Sequence, residues 1–299
     1  MNKLFDKTIL IIDIYGLLFR SYFAIKERLH NGININAIFG TLHSMINILE
    51  NVHHDHIIIA ADSGGKNFRH ELYNDYKANR ASCPEDLVPQ FQILDEMINA
   101  MQISLIRMQG FEADDIIASI CQNVNAKCVI ATHDKDLYQL VSERVCIYNS
   151  KDKSFVHQDD VVKKFGIKAD FISDFLALTG DSSDNIPGVK NIGPKTAINL
   201  INEFGSINNI LTNIDKLTEK TRILIENDID NLNLSRALAS LKYDIDLIEE
   251  VSKSGKFEMK NDKFLSFIQK YSLESVISRF NLDYKKTNNN QGEAQMSLL

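Results

Sequence analysis

Nine carboxylates stand where short apolar runs end or helices should begin: Asp13, Asp62, Glu112, Asp114, Asp115, Asp134, Asp136, Asp181 and Asp184. Runs at 8–12 and 57–61 lead directly into Asp13 and Asp62, and the run at 128–132 stands just before Asp134. Burying an unpaired charge is costly, so packing alone does not explain acids at such places. Several carboxylates on one edge of a parallel sheet would repel each other unless cations lay between them. Oxygen donors of this kind suit hard divalent ions, two Mg²⁺ or Mn²⁺. The chemistry indicated is metal-dependent phosphoryl chemistry.

Each acidic motif is weak alone. Glu112-Ala113-Asp114-Asp115 opens a helix, and the helix dipole alone would favour one or two acids there. Asp134-Lys135-Asp136 follows a strand, and side chains two apart in a turn can reach one ion; the plain alternative is an N-capped turn. Asp181 and Asp184 are three apart and would share a helical face. Their conjunction carries the weight.

A second signal is residues 187–197, PGVKNIGPKTA, which have the form of a helix–hairpin–helix. Gly188 and Gly193 permit close backbone approach to phosphates, and N–H groups at the next helix start, at Lys195 and Thr196, would bind them. Lys190 and Lys195 add attraction that ignores base sequence. Residues 66–80 hold Lys66, Arg69, Lys77 and Arg80 among Phe68, Tyr73 and Tyr76. A helical phase would gather Tyr73, Tyr76, Lys77 and Arg80 to clamp a single strand by charge and stacking, against the alternative of a solvated helix. His53-His54-Asp55-His56 reads as a polar turn before a strand, and His133 as a bystander.

These residues need a frame. Strands are expected at 8–13, 57–62, 103–108, 127–132 and 145–148, with helices at 37–49, 88–101 and 113–123 between them. Alternation of this kind builds an α/β layer with a mostly parallel sheet, whose ligands collect at the carboxyl ends of the strands. Beyond about residue 160 the pattern turns helical. The expected division is a core at 1–165 with a protruding arch near 65–90, a helical unit at 166–284 with the hairpin at 186–200, and a disordered tail at 285–299.

The chain has 299 residues with a net charge of −7. With the nine clustered acids set aside, 31 acids face 33 bases, so nucleic-acid binding through local basic patches is not excluded. No apolar run reaches membrane-spanning length and no signal peptide is apparent. Four cysteines without CxxC spacing argue against zinc and for reduced thiols in a cytoplasm.

The ordered set of segments resembles the 5′-nuclease domain of bacterial DNA polymerase I, of the flap-endonuclease superfamily, over about residues 7–284. Asp13 with LLFRSYFA (17–24), FRHELYNDYKANR (68–80), GFEADD (110–115), ATHDKDLYQL (131–140), LTGDSSDNIPGVKNIGPKTA (178–197) and LSRALA (234–239) carry the likeness. It implies a PIN-like core, a helical arch and a C-terminal helical domain. It further implies Mg²⁺-dependent cutting of DNA at a 5′ flap, nick or free 5′ end, in primer processing and repair. Asp13, Asp62, Glu112 and Asp114 would gather one ion; Asp115, Asp134, Asp136, Asp181 and Asp184 would serve the second. Lys77, Arg80 and Arg20 would hold the scissile phosphate. The hairpin would grip duplex DNA and hold K⁺. Arg69 and Tyr76 join the expected DNA contacts. Two departures stand out: Ile14 replaces the glycine usual after the first Asp, with Gly16 two positions later, and Ala81-Ser82-Cys83 delays Pro84.

The final residues Gln295, Met296, Ser297, Leu298 and Leu299 resemble segments that bacterial sliding clamps bind, on a polar tether, and suggest a natural C-terminus. A monomer is expected. Rival readings are a DNA-binding relative without catalysis, a 5′ nuclease preferring RNA in hybrids, and a small-molecule phosphatase. The last would need Asp-x-Asp after the first strand, where Asp13-Ile14-Tyr15 stands.

Overall fold

The computed structural model describes residues 7–258 and 261–278. The chain opens with β1 (Thr8–Asp13) and α1 (Ile14–Ala24), then a short hairpin of β2 (Leu29–His30) and β3 (Ile33–Asn34). Next come α2 (Asn36–Asn51), β4 (His56–Ala60), α3 (Phe68–Leu72), α4 (Val88–Met101), β5 (Ser104–Ile106) and α5 (Ala113–Asn123). β6 (Lys127–Ala131), β7 (Val145–Asn149) and β8 (Ser154–Val156) complete the strands. Helices follow: α6 (Gln158–Phe165), α7 (Ile172–Thr179), α8 (Pro194–Phe204), α9 (Ile207–Thr212), α10 (Glu219–Asn227) and α11 (Ile229–Ala239). The described chain closes with α12 (Ile248–Ser252), α13 (Asp262–Lys270) and α14 (Glu274–Ser278).

Six strands form one sheet in the order β5-β4-β1-β6-β7-β8, parallel except for the β7–β8 pair. The β-rich runs are buried on both faces, as parallel sheets require. Ile9 and Ile11 of β1 face a core shared with α5 and α7, while Leu10 and Ile12 face one shared with α1, α2 and α4. α13 returns to the second face through Phe264, Phe267 and Ile268. The chain runs outward from β1 through β4 to β5, then crosses back to β6 on the other side of β1. That reversal opens a crevice at the carboxyl ends of β1, β4 and β6.

The expected α/β frame is present, with two additions. The β2–β3 hairpin and β8 are short, and their two- and three-residue runs carry little periodic signal. The helix expected through 66–80 ends early. α3 stops at Leu72, Tyr73 is extended, and Lys77 takes a left-handed φ of 56°. Its N–H is drawn instead to the carbonyl of Asp184 at 3.0 Å. Among the described residues no helix is long and apolar enough to cross a membrane. Residues 285–299, including the clamp-like segment, lie outside the described residues.

Candidate active site

Asp13 ends β1 and caps α1, its Oδ1 accepting the N–H of Gly16 at 3.1 Å. A Cβ on residue 16 would sit 2.5 Å from Asp13 Oδ2, so the glycine here makes room for the carboxylate itself. Ile14 is fully buried, in the core shared with α2 and α4. Thr132, after β6, donates from Oγ1 to Asp13 Oδ2 at 3.0 Å and accepts the N–H of Asp134. Asp134 in turn accepts the N–H of Asp136 at 2.8 Å, at the start of a short 3-10 turn (Asp136–Leu140). Asp62, two residues past β4, accepts the N–H of Ala113 at 2.7 Å, at the opening of α5. Asp114 lies in that same first turn.

Asp13, Asp62, Asp114, Asp134 and Asp136 are half-buried and take no part in the salt bridges of the described residues. The proton affinities of Asp13, Asp62, Asp114 and Asp136 record the crowding. Burial pushes Asp13 up to about 6, with Asp134 and Asp62 adding repulsion. Asp136 rises to about 7, through burial and then Asp134, Asp181 and Asp184. Asp114 is raised well above the carboxylate range by burial, Asp134 and Asp13, and Asp62 is raised by burial. Asp136 Oδ1 is buried with no hydrogen-bond partner. An all-oxygen donor set with an orphaned oxygen and mutual repulsion fits a hard divalent cation. As placed, no three His, Cys, Asp or Glu among the described residues are arranged to hold one ion. Ligation would therefore draw these side chains together.

The remaining carboxylates already have cations. Glu112 is 8 % exposed. It accepts from Lys77 Nζ at 2.5 Å, from Arg69 at 3.1 Å and from the Tyr76 hydroxyl at 3.1 Å. Asp184 accepts from Arg80 at 2.5 Å and from Tyr76 at 3.2 Å, with Lys77 Nζ 3.6 Å away. Asp181 pairs with Lys135 at 2.9 Å. Although burial would raise it, Lys135 and Ser183 hold Asp181 below the usual range. Lys77 feels the reverse: burial would lower its proton affinity, but Glu112 and Asp184 outweigh that and raise it. Asn79 donates to the carbonyl of Ser182, and Asn185 to that of Asp75. The arch segment 75–80 is thus laced across the crevice to the 181–185 turn.

Four sequence expectations change here. Asp115 is wholly buried, and its oxygens are filled by Arg69 at 2.8 Å twice and by the N–H groups of Glu112 and Lys242. It has no lone pair directed at an ion. Arg69 and Tyr76, 1 % and 3 % exposed, cannot clamp or stack on a nucleic acid, because both are spent inside the protein. Asp181 and Asp184 share no helix; Asp181 opens and Asp184 lies within a turn closed by mutual backbone bonds of Asp181 and Ile186. Gly188 is buried, and its N–H goes to Ser235 Oγ at 2.8 Å rather than outward. Sequence reading also missed Thr132, Lys135, Asn79 and Asn185. Thr132 had a visible cue, a hydroxyl two residues before Asp134 at a strand end.

The rest of the hairpin faces out. Lys190, Gly193 and Lys195 are exposed, Thr196 is half-exposed, and no side chain caps α8. A Cβ on Gly193 would meet nothing within 4 Å, leaving the helix start open to an anion. Lys190 is braced by its N–H to Asp228 at 2.6 Å. Arg20 is exposed on α1 and lies near enough to His133 to help burial depress that imidazole. His133 itself bonds Ser150 at 3.0 Å. His54 and His56 bond Val52 and Ser254, as a polar turn would.

Residues 8–166 match the family model "5'-3' exonuclease, N-terminal resolvase-like domain", and 167–262 match "5'-3' exonuclease, C-terminal SAM fold". The chain is 39% identical over 258 residues to a 5'-3' exonuclease of Buchnera aphidicola, covering 82% of this chain and 90% of that one. It is 35% identical over 245 residues to that of Aquifex aeolicus, covering 81% and 84%. It is 35% identical over 290 residues to DNA polymerase I of Borreliella burgdorferi, covering 94% of this chain but only 32% of the polymerase. Among solved structures, a T5 5'-exonuclease described with bound zinc superposes with a TM-score of 0.66 at 22% identity, covering 91% and 99%. The catalytic core of Rad2 with DNA substrate gives 0.57 at 15%, covering 92% of each chain. Two family models thus cover the parallel-sheet core and the helical unit beyond it in turn: the chain belongs to the 5′-3′ exonuclease family.

Proposed function

We propose that this protein is a structure-selective 5′ nuclease that hydrolyses DNA phosphodiesters at a flap, nick or free 5′ end, using divalent ions. The carrying observation is the crevice where Asp13, Asp62, Asp114, Asp134 and Asp136 meet without paired cations, with Lys77 and Arg80 beside it. T5 enzymes of this fold described with metal ions and with DNA support it. We assign the core up to about residue 165 to the chemistry and the helical unit after it to duplex binding.

Mg²⁺ or Mn²⁺ held by those five aspartates would acidify a water and neutralise charge on the attacking and leaving oxygens. Glu112, Asp181 and Asp184 would join only by releasing Lys77, Lys135 and Arg80. Thr132 Oγ1 and the N–H of Gly16 brace Asp13, one at each carboxylate oxygen. Lys77 and Arg80, exchanging carboxylates for the scissile phosphate, would stabilise charge as it develops. Arg20, exposed on α1 near His133, would add positive charge beside Asp134. Lys190, Lys195 and the open start of α8 would hold the duplex backbone without reading its sequence.

The test is a 5′-flap DNA duplex labelled at both ends, incubated with Mg²⁺ or EDTA, alongside an otherwise identical substrate with an RNA flap. Mg²⁺-dependent cutting near the junction, abolished in a folded Asp134→Asn variant, is the expected result. Cutting by Asp134→Asn at the wild-type rate would remove the aspartate assignment. Binding without cutting in Mg²⁺ would make the protein a structural relative.

A further inference from the structure

A chain of buried polar contacts joins the carboxylate crevice to the hairpin. Arg69 starts it. Its guanidinium donates to both oxygens of Asp115 at 2.8 Å, to Glu112 at 3.1 Å, and to the carbonyls of Leu238 and Ser240 at 2.9 Å each. Those carbonyls belong to the C-terminal end of α11, where intrahelical donors run out. Asp115 returns the contact by accepting the N–H of Lys242 at 2.9 Å. One turn back along α11, the wholly buried Ser235 accepts the N–H of Gly188 at 2.8 Å. Gly188 has a φ of 68° and packs its backbone against Gly180, so the hairpin can shift little on its own.

This path has two properties of a rigid spacer. Arg69, Asp115 and Ser235 are almost free of solvent, so water cannot replace their bonds cheaply. Its central group is a planar fork that satisfies two directions at once, toward α5 and toward α11. One end bears on the helix start that carries Glu112 and Asp114. The other ends on Gly188, in the loop that presents Lys190 and Gly193.

Resting on the nuclease reading above, we propose that Arg69, Asp115 and Ser235 are positioning residues: a buried strut that fixes the span from the carboxylate crevice to the hairpin. The span decides where the cut falls relative to the gripped duplex. Successive nucleotides are about 3.4 Å apart along a duplex strand, so slack of that size moves the cut by one nucleotide. Lysine at 69 supplies donors from a single point and cannot bridge Asp115 and both carbonyls.

The experiment maps products of a 5′-flap duplex at single-nucleotide resolution for wild type, Arg69→Lys, Asp115→Asn and Ser235→Ala. Thermal melting confirms that each variant folds, and flap-duplex affinity is read in Ca²⁺. Wild type should give one dominant product. Arg69→Lys should spread cutting over at least one further position, with at least a fifth of product displaced and affinity within about threefold. Ser235→Ala should give a smaller spread in the same direction. A folded Arg69→Lys that cuts more slowly but at the wild-type position overturns the strut. If Arg69→Lys fails to fold, Asp115→Asn and Ser235→Ala decide by the same criterion, and sharp products from both overturn it. Wild-type protein that cuts nowhere in Mg²⁺ overturns the nuclease reading, a different failure from sharp cutting by the variants.

Discussion

Asp136 should destabilise the metal-free protein at neutral pH, and replacing it with asparagine should raise the melting temperature. The residue's proton affinity climbs from the ordinary 3.8 to about 7 on folding, through burial and then the fields of Asp134, Asp181 and Asp184. The folded protein therefore binds the proton more tightly than the unfolded chain. Between pH 3.8 and about 7 it carries the extra proton, and stability falls as pH rises through that window. Each pH unit is worth about 1.4 kcal/mol, so ionisation of Asp136 costs up to about 4 kcal/mol. Asparagine keeps the shape and cannot ionise. At pH 8 in EDTA, Asp136→Asn should melt above wild type by several degrees, taking about 2–4 °C per kcal/mol for a chain of this size. At pH 4, where the folded carboxyl is neutral and the unfolded one is only partly ionised, the difference should shrink to under about 1 kcal/mol. Saturating Mg²⁺ should shrink the pH 8 difference, because the ion compensates the carboxylate in wild type and has less to bind in the variant. The assay is a melting series from pH 4 to 8 with EDTA or Mg²⁺ at constant ionic strength. Wild type and variant melting together at pH 8 in EDTA would show that no repulsion is stored at Asp136.

Three further outcomes are expected. Gly16→Ala should push Asp13 aside and weaken Mn²⁺ binding by about tenfold, with duplex affinity in EDTA unchanged; direct Mn²⁺ titration and a DNA-binding assay check both halves. Arg69→Met should destabilise by about 3–5 kcal/mol, because it strands the buried Asp115 charge, and pairing it with Asp115→Asn should recover part of that loss in urea unfolding. Lys190→Gln with Lys195→Gln should lower the slope of log affinity against log salt by about 2 while leaving single-turnover cutting at saturating DNA within about twofold.

The parts of this molecule that were legible in its sequence are those set by local pattern. Five apolar runs, each followed by a turn residue or an acid, locate the main strands. The helices at Val88–Met101 and Ala113–Asn123 sit where their apolar spacing places them. What periodicity could not reveal is where a polar side chain goes once distant segments meet. Arg69 stands in a basic, aromatic stretch, and residue type alone puts such an arginine on the surface. It is buried because Asp115, wholly excluded from water, demands a cation, and because the end of α11 leaves two carbonyls needing donors.

The same long-range demand breaks the expected arch helix. An unbroken helix through Arg80 would satisfy its own backbone. Here the N–H of Lys77 turns to Asp184, more than a hundred residues away, and the left-handed turn this requires brings Tyr76, Lys77 and Arg80 onto carboxylates from both units. The turn at 180–186 did leave a trace, since Gly180 and Asn185 are residue types that tolerate the positive φ they adopt, while helical spacing suggested a face that Asp181 and Asp184 do not share. Composition and spacing thus point to carboxylates at the sheet's edge. Which of them remain available to a cation is decided by four basic side chains, Arg69, Lys77, Arg80 and Lys135, whose partners only the assembled fold supplies.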